Sequence, residues 1–365
     1  MYSFEPTEEQ QMLVEAVGKY AVNDLRLAAR EAEEGGELSQ KLIRKGWELG
    51  LLQASIPESY GGFGDRSAVT GALAVEELAF GDLAGAMAVM TPSLFAMPIL
   101  LAGTEEQKQT YLPRVIEGEW SPYTAAFIEY AFDFDPNALR TTATWNGEDY
   151  ILHGEKAFVP FANQAQFLLV YANLDGQTQG FILPKPSEGL TIPDEREKLM
   201  GLNALPLYRV KLDDVRVPVA NRLGGASGHD FEQILAAMRV ATAAAAVGVA
   251  NAAFEYSKNY AKEREAFGVK IAQKQAIAFM LAEMRTEIEA SRLLTWEAAW
   301  KLDQGKDDAF TEAYLAATGA ADMVMMVTDR AVQILGGHGY IREHPVEMWM
   351  RNGRGFATFT GLAIV

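Results

Sequence analysis

The chain changes its hydrophobic period twice, and each change marks a boundary. From Met12 onward Leu13, Val14, Val17 and Ala21 recur at helical spacing, after a start signal in which Thr7 precedes Glu8, Glu9 and Gln10. Ser39–Leu51, Ser67–Leu78 and Gly103–Gly118 read as further helices, and the glycine-rich run Pro57–Gly64 reads as a turn. From Ser121 to Leu223 the pattern becomes short runs of β-branched and aromatic residues: Thr141–Trp145, Tyr150–Leu152, Phe167–Tyr171 and Gly180–Leu183. Asn146-Gly147, Asp175-Gly176 and prolines 184, 186 and 193 separate them. That spacing predicts a small antiparallel sandwich or barrel. Beyond Asp230 the helical period returns over Phe231–Arg264, Ala272–Leu302 and Asp308–Leu335, and the small-residue stripe Ala241–Gly248 suits close helix packing. The expected architecture is therefore α+β in three parts: an N-terminal helical domain (1–120), a middle β-sandwich or barrel (121–225) and a C-terminal helical bundle (226–365). A length of 365 residues agrees with this, at roughly 150 residues per domain.

Charge and composition remove several classes of function. Lys+Arg less Asp+Glu is 32 − 49 = −17, so a phosphate backbone is repelled and nucleic acid is not an expected partner. The absence of cysteine removes disulfides, thiol catalysis and thiolate metal sites. The four histidines are scattered, with no pair at i, i+3 or i+4, and no metal site is expected. Met1–Pro6 has neither a basic nor an apolar leader segment. Leu83–Thr104 carries no charge and has the length of a membrane span. Pro92 and Pro98 interrupt it, so two short buried helices are the better reading. The expectation is a cytoplasmic protein without a membrane span.

No stand-alone motif fixes the chemistry: there is no G-x-G-x-x-G, no P-loop and no H-E-x-x-H. A series of segments in order does more. Gly103-Thr104-Glu105-Glu106-Gln107 leads to Tyr111-Leu112-Pro113 and Gly118-Glu119-Trp120. Leu152-His153-Gly154-Glu155-Lys156, Met200-Gly201-Leu202 and Val215-Arg216-Val217-Pro218 follow. Arg264-Glu265-Ala266-Phe267-Gly268, Gln275-Ala276-Ile277 and Gln333-Ile334-Leu335-Gly336-Gly337-His338-Gly339-Tyr340 complete the series. With these segments at these separations, the chain resembles an acyl-CoA dehydrogenase over essentially its whole length.

The resemblance implies a coenzyme A thioester as substrate, FAD as cofactor, a dimer or tetramer, and an electron-transferring flavoprotein as electron acceptor. In that family a carboxylate takes the α-proton while hydride leaves the β-carbon for the flavin. The segments that reach across a subunit interface to a neighbour's FAD fall on Arg264, Phe267, Gln275, Gln333, Gly336 and Gly337. An arginine offers paired donors to pyrophosphate, and glycines allow the backbone to approach it. The segments that seat the flavin ring within the same chain are altered. The family's Thr-Glu-Pro-Gly-Ala-Gly-Ser-Asp falls on Ile128–Asp135, where Tyr130, Phe132 and Phe134 replace small residues. Its Trp-Ile-Thr falls on Phe158-Val159-Pro160, and proline supplies neither N–H nor hydroxyl. Thr360 stands where the catalytic glutamate precedes glycine, and Met238 stands at the alternative position before Arg239. Neither can take an α-proton, so the catalytic residue is unassigned.

This pattern predicts a non-catalytic partner in a heteromeric FAD-dependent acyl-CoA dehydrogenase, clamping FAD of a companion catalytic subunit. Two other readings stay open. One is a self-sufficient flavoenzyme with a relocated base, Asp133 or Asp135 being nearest in sequence. The other is a non-enzymatic acyl-CoA-binding protein.

Overall fold

The computed structural model describes residues 5–358 and 360–365, with side chains from 356 to 359 left aside. The leader reading at Met1–Phe4 and residue Phe359 lie outside the described residues. The first helical part opens with α1 (Glu8–Tyr20), which passes through a π-turn at Ala21–Leu25 into α2 (Arg26–Gly35). Thr7 caps α1 in a capping box with Gln10, as the start signal predicts. Next come α3 (Gln40–Trp47), α4 (Leu51–Ala54) and α5 (Ala68–Gly81), then α6 (Leu83–Met90), α7 (Ser93–Ala102) and α8 (Glu105–Ile116). The uncharged run is thus two buried helices bent by 53°. Pro92 makes that break, whereas Pro98 sits inside α7, contrary to its expected role as a second interruption. The family's segment at Thr104 forms a second capping box with Gln107, whose amide also reaches the carbonyls of Ala220 and Arg222.

The middle part holds β1 (Thr124–Ala126), β2 (Thr142–Trp145), β3 (Asp149–Pro160), β4 (Phe167–Leu174), β5 (Gln177–Pro184), β6 (Leu190–Thr191) and β7 (Leu207–Pro218). Asp175 (φ +51°) and Gly176 (φ +84°) join β4 to β5, the two left-handed residues that match a hairpin to strand twist. Most pairings are antiparallel, but β1 and β2 each pair parallel with β4. The sheet is therefore mixed rather than the wholly antiparallel one expected. Its order is β1-β4-β2-β3-β7-β6, with β5 also on β4. The apolar faces of Leu152, Leu168, Val170, Phe181 and Val210 form a core of their own.

The third part is built on α9 (Phe231–Glu263), a helix buried almost all round. It is followed by the two-residue strands β8 (Glu265–Ala266) and β9 (Val269–Lys270), then α10 (Gln275–Asp303), α11 (Ala309–Leu335) and α12 (Val346–Thr358). Among the described residues α9 is the one unbroken helix long and apolar enough to cross a membrane, and 89% of that window is buried in the protein. The small-residue stripe explains the burial. A Cβ on Gly248 would lie 2.2 Å from the Glu76 carbonyl oxygen, so α5 and α9 cross nearly backbone to backbone.

Candidate functional site

Arg264 ends α9: its N–H donates to the Tyr260 carbonyl at 2.8 Å and its carbonyl accepts from Ile271 at 2.9 Å. The chain then turns through a hairpin whose tip is Phe267 (φ +53°) and Gly268 (φ +78°), braced by a Glu265–Lys270 ion pair of 2.8 Å. Left-handed backbone is strained for phenylalanine, yet the ring is 94% exposed, with the Lys274 ammonium 5.8 Å from its centre. Gln275 opens α10 and is exposed. Exposed Gln333 lies in the last turn of α11, and Gly336 leaves that helix at φ +58°, ψ −129°, a conformation open to glycine. Gly337 has no such backbone demand, and a Cβ at either position would meet nothing within 4 Å.

The hydroxyl of Tyr260, one turn before Arg264, lies 3.2 Å from His338 Nδ1. The ends of α9 and α11 therefore meet, and all six predicted nucleotide-binding residues sit at one end of the bundle. Among the described residues the Arg264 guanidinium has no hydrogen bond or ion pair.

A second feature lies between the sheet and the bundle. A cavity of about 490 Å³ is walled by Ile128, Phe132, Phe134 and Phe158 on the sheet side, by Arg239 and Thr242 from α9, by Tyr314 and Thr318 from α11, and by Thr360. Thr242 and Thr318 spend their hydroxyls on the carbonyls of Met238 and Tyr314, one turn earlier. Glu129 also reaches the wall, but both its oxygens are occupied. It accepts from Lys156 Nζ at 2.7 Å and from the N–H groups of Arg140 (2.7 Å) and Thr141 (2.9 Å). Burial pushes the Glu129 carboxyl up, but Lys156 and Thr141 outweigh it and hold the group below the usual range. Burial lowers the Lys156 ammonium to about 8 against the opposing pull of Glu129. The pair is a latch fixing the loop to the sheet, not an available base.

The carboxylates nearest in sequence are also committed elsewhere. Asp133 pairs with Arg140 at 2.6 Å on the surface, and Asp135 accepts from the Asn137 N–H at 2.9 Å. Neither lines the cavity. Arg239 does, with its side chain only 14% exposed. Its closest carboxylate, Glu232, stands 3.6 Å away, and its guanidinium lies 5.1 Å from the centre of the Tyr314 ring.

Sequence reasoning missed the Glu129–Lys156 latch, although the lone charge directly after the apolar run Ala125–Ile128 was a signal. It also treated the histidines as unrelated. His338 and His344 meet edge to face at 5.5 Å, and Tyr256 binds His344 Nδ1 at 2.7 Å. His153, Asp213 and Asp214 bring ligand-type atoms within 4.8 Å of one another on the open surface.

Comparison with known proteins agrees with this architecture along the chain. The acyl-CoA dehydrogenase N-terminal, middle and C-terminal domain models match residues 7–119, 129–215 and 229–363. The probable acyl-CoA dehydrogenase YngJ of Bacillus subtilis is 37% identical, over 96% of this chain and 94% of its own. This chain belongs to the acyl-CoA dehydrogenase family. The caffeyl-CoA reductase-Etf complex subunit CarC of Acetobacterium woodii is 34% identical over 98% of this chain and 96% of its own. Butyryl-CoA dehydrogenase from Megasphaera elsdenii superposes with a TM-score of 0.89 at 33% identity, covering 99% of this chain and 96% of that one. The FAD complex of PigA also superposes at 0.89, with 25% identity over 99% and 96% of the two chains.

The family's cofactor can be tested against these residues in two halves. The clamp end fits a dinucleotide: a guanidinium without a partner, a projecting aromatic ring, and glycines with open space above them. The ring end does not fit. Pro160 is buried without a donor, Phe132, Phe134 and Phe158 occupy the wall, and the only carboxylate among the described lining residues is the latched Glu129.

Proposed function

We propose that this chain is the non-catalytic subunit of a heteromeric acyl-CoA dehydrogenase, lending its clamp to FAD held by a companion family member. One observation supports the reading: the six predicted nucleotide contacts are all exposed at one end of the bundle, while the only carboxylate among the described residues lining the cavity, Glu129, is latched to Lys156. Arg264 would pair with the pyrophosphate, Phe267 would pack on the cofactor, and Gln275, Gln333 and the Gly336-Gly337 backbone would approach the nucleotide closely. Bound FAD supplies hydride acceptance. The companion supplies the ring pocket and the glutamate that takes the α-proton of an acyl-CoA thioester. The assembly is a cytoplasmic dimer or tetramer that passes electrons to an electron-transferring flavoprotein. CarC, a relative named as a subunit of an Etf complex, supports that partner.

The self-sufficient alternative gains no support from Asp133 and Asp135, which do not line the cavity. The test is co-expression with a family member that retains its glutamate. The single chain should purify colourless and inactive, and the pair should carry flavin and oxidise acyl-CoA with an artificial acceptor. A yellow, active single chain refutes the proposal.

A further inference from the structure

The altered cavity is not an inert remnant. Arg239 faces it with one long ion pair, 3.6 Å to Glu232 Oε2, and no hydrogen bond at its guanidinium among the described residues, while Glu232 Oε1 accepts from the Asn137 side chain. The Glu129 charge on the same wall is neutralised by Lys156. Threonine stands at 360, the position where a family member carries its glutamate, and Thr360 lines the same cavity as Arg239. Replacing glutamate by threonine therefore removes a base and also leaves a cation for a carboxylate from outside. The remaining wall is largely apolar, aliphatic from Ile128, Leu235 and Val324 and aromatic from Phe134, Phe158 and Tyr314, around a volume within the ~300–1,000 Å³ range of small-molecule sites.

We infer that this cavity binds a compact aromatic or alicyclic free acid, whose carboxylate pairs with Arg239 and whose ring packs among Phe134, Phe158 and Tyr314. This rests on the non-catalytic reading, because a flavin ring seated there would fill the space. The ligand is the acid and not its thioester: the recognised group is an anion at the end of an apolar body, which thioester formation removes. No reaction takes place in the site.

Calorimetric titration of the full-length chain with phenylpropionate and with phenylpropionamide tests this directly. The acid should bind about tenfold or more tightly than the amide. Arg239→Gln should bring the two to equal affinity. Thr360→Glu restores an internal carboxylate and should abolish acid binding without lowering thermal stability, which separates occupancy from misfolding. Equal affinities in the unaltered chain, or acid binding unchanged by Thr360→Glu, overturn the inference. The absorbance of each preparation separates this from the subunit role. A colourless chain that does not prefer the acid removes the anion site and leaves the subunit role standing. A yellow chain removes the subunit role, and with it the empty cavity on which the acid site rests.

Discussion

Gly248→Ala should destabilise the protein although alanine is the better helix former. In an exposed helix the change gains about 1 kcal/mol. Here the new methyl would sit 2.2 Å from the Glu76 carbonyl oxygen, 2.9 Å from Ala79 Cβ and 2.9 Å from the Phe80 nitrogen. Ordinary contact begins at 3.4 Å, so α5 and α9 must part by about 3.4 − 2.2 = 1.2 Å. Two of the three obstructing atoms are backbone, and no side-chain rotation relieves them. Overpacking of this kind costs about 3 kcal/mol at the upper end of its usual range. The net loss is then about 2 kcal/mol, or a urea midpoint lower by about 0.7 M for a slope near 3 kcal/mol/M. Urea unfolding followed by circular dichroism measures it. Gly337→Ala is the control, because the same methyl meets nothing there. It should leave the midpoint unchanged and lower flavin retention in the co-expressed pair. A Gly248→Ala protein as stable as its parent would refute the close-crossing argument.

Lys156→Met leaves the Glu129 carboxylate buried without its cation, and the expected loss is about 3–5 kcal/mol by urea unfolding. Adding Glu129→Gln should recover part of that loss, which a double-mutant cycle reads. Asp82, which caps α6 through the Gly85 N–H at 2.7 Å, is raised to about 6 by burial. A raised carboxyl binds more protons folded than unfolded, so its contribution is full below about pH 4 and is lost as pH rises through about 6. Asp82→Asn keeps the cap, and its stability relative to the parent should rise across that window. A difference independent of pH would refute the assignment. Phe267→Gly relieves a left-handed phenylalanine and should match or exceed the parent's stability, while flavin retention in the pair falls.

Local signals were legible in the sequence wherever one residue decides a local geometry. Thr7 and Thr104 announce their helices by the capping box, and Asp175-Gly176 announces its hairpin. The parallel pairing of β1 with β4 was not legible, because Thr124 and Leu168 become neighbours only through the whole topology. Strand β7 was not read as a strand, its end Val215–Pro218 being noted only as a segment of the resemblance, since the charged stretch Lys211–Asp214 masks the alternation. At the site, family resemblance identified the altered residues at 128–135, 158–160 and 360. It did not say where the neighbouring charges go. Only the three-dimensional arrangement pairs Glu129 with Lys156, ties Asp133 to Arg140 and leaves Arg239 facing a cavity. The meeting of Tyr260 with His338 is equally a product of packing across 78 residues.

The hairpin tip at Phe267 has a practical consequence for work on the isolated polypeptide. On the proposed subunit role its conformational cost falls on one molecule and its benefit on another, so a screen that ranks variants by solubility or melting temperature will favour trimming it. Selection for good behaviour in solitude thus erodes the part made for company, and the trait worth following is what a mixture of two gene products can do that neither does alone.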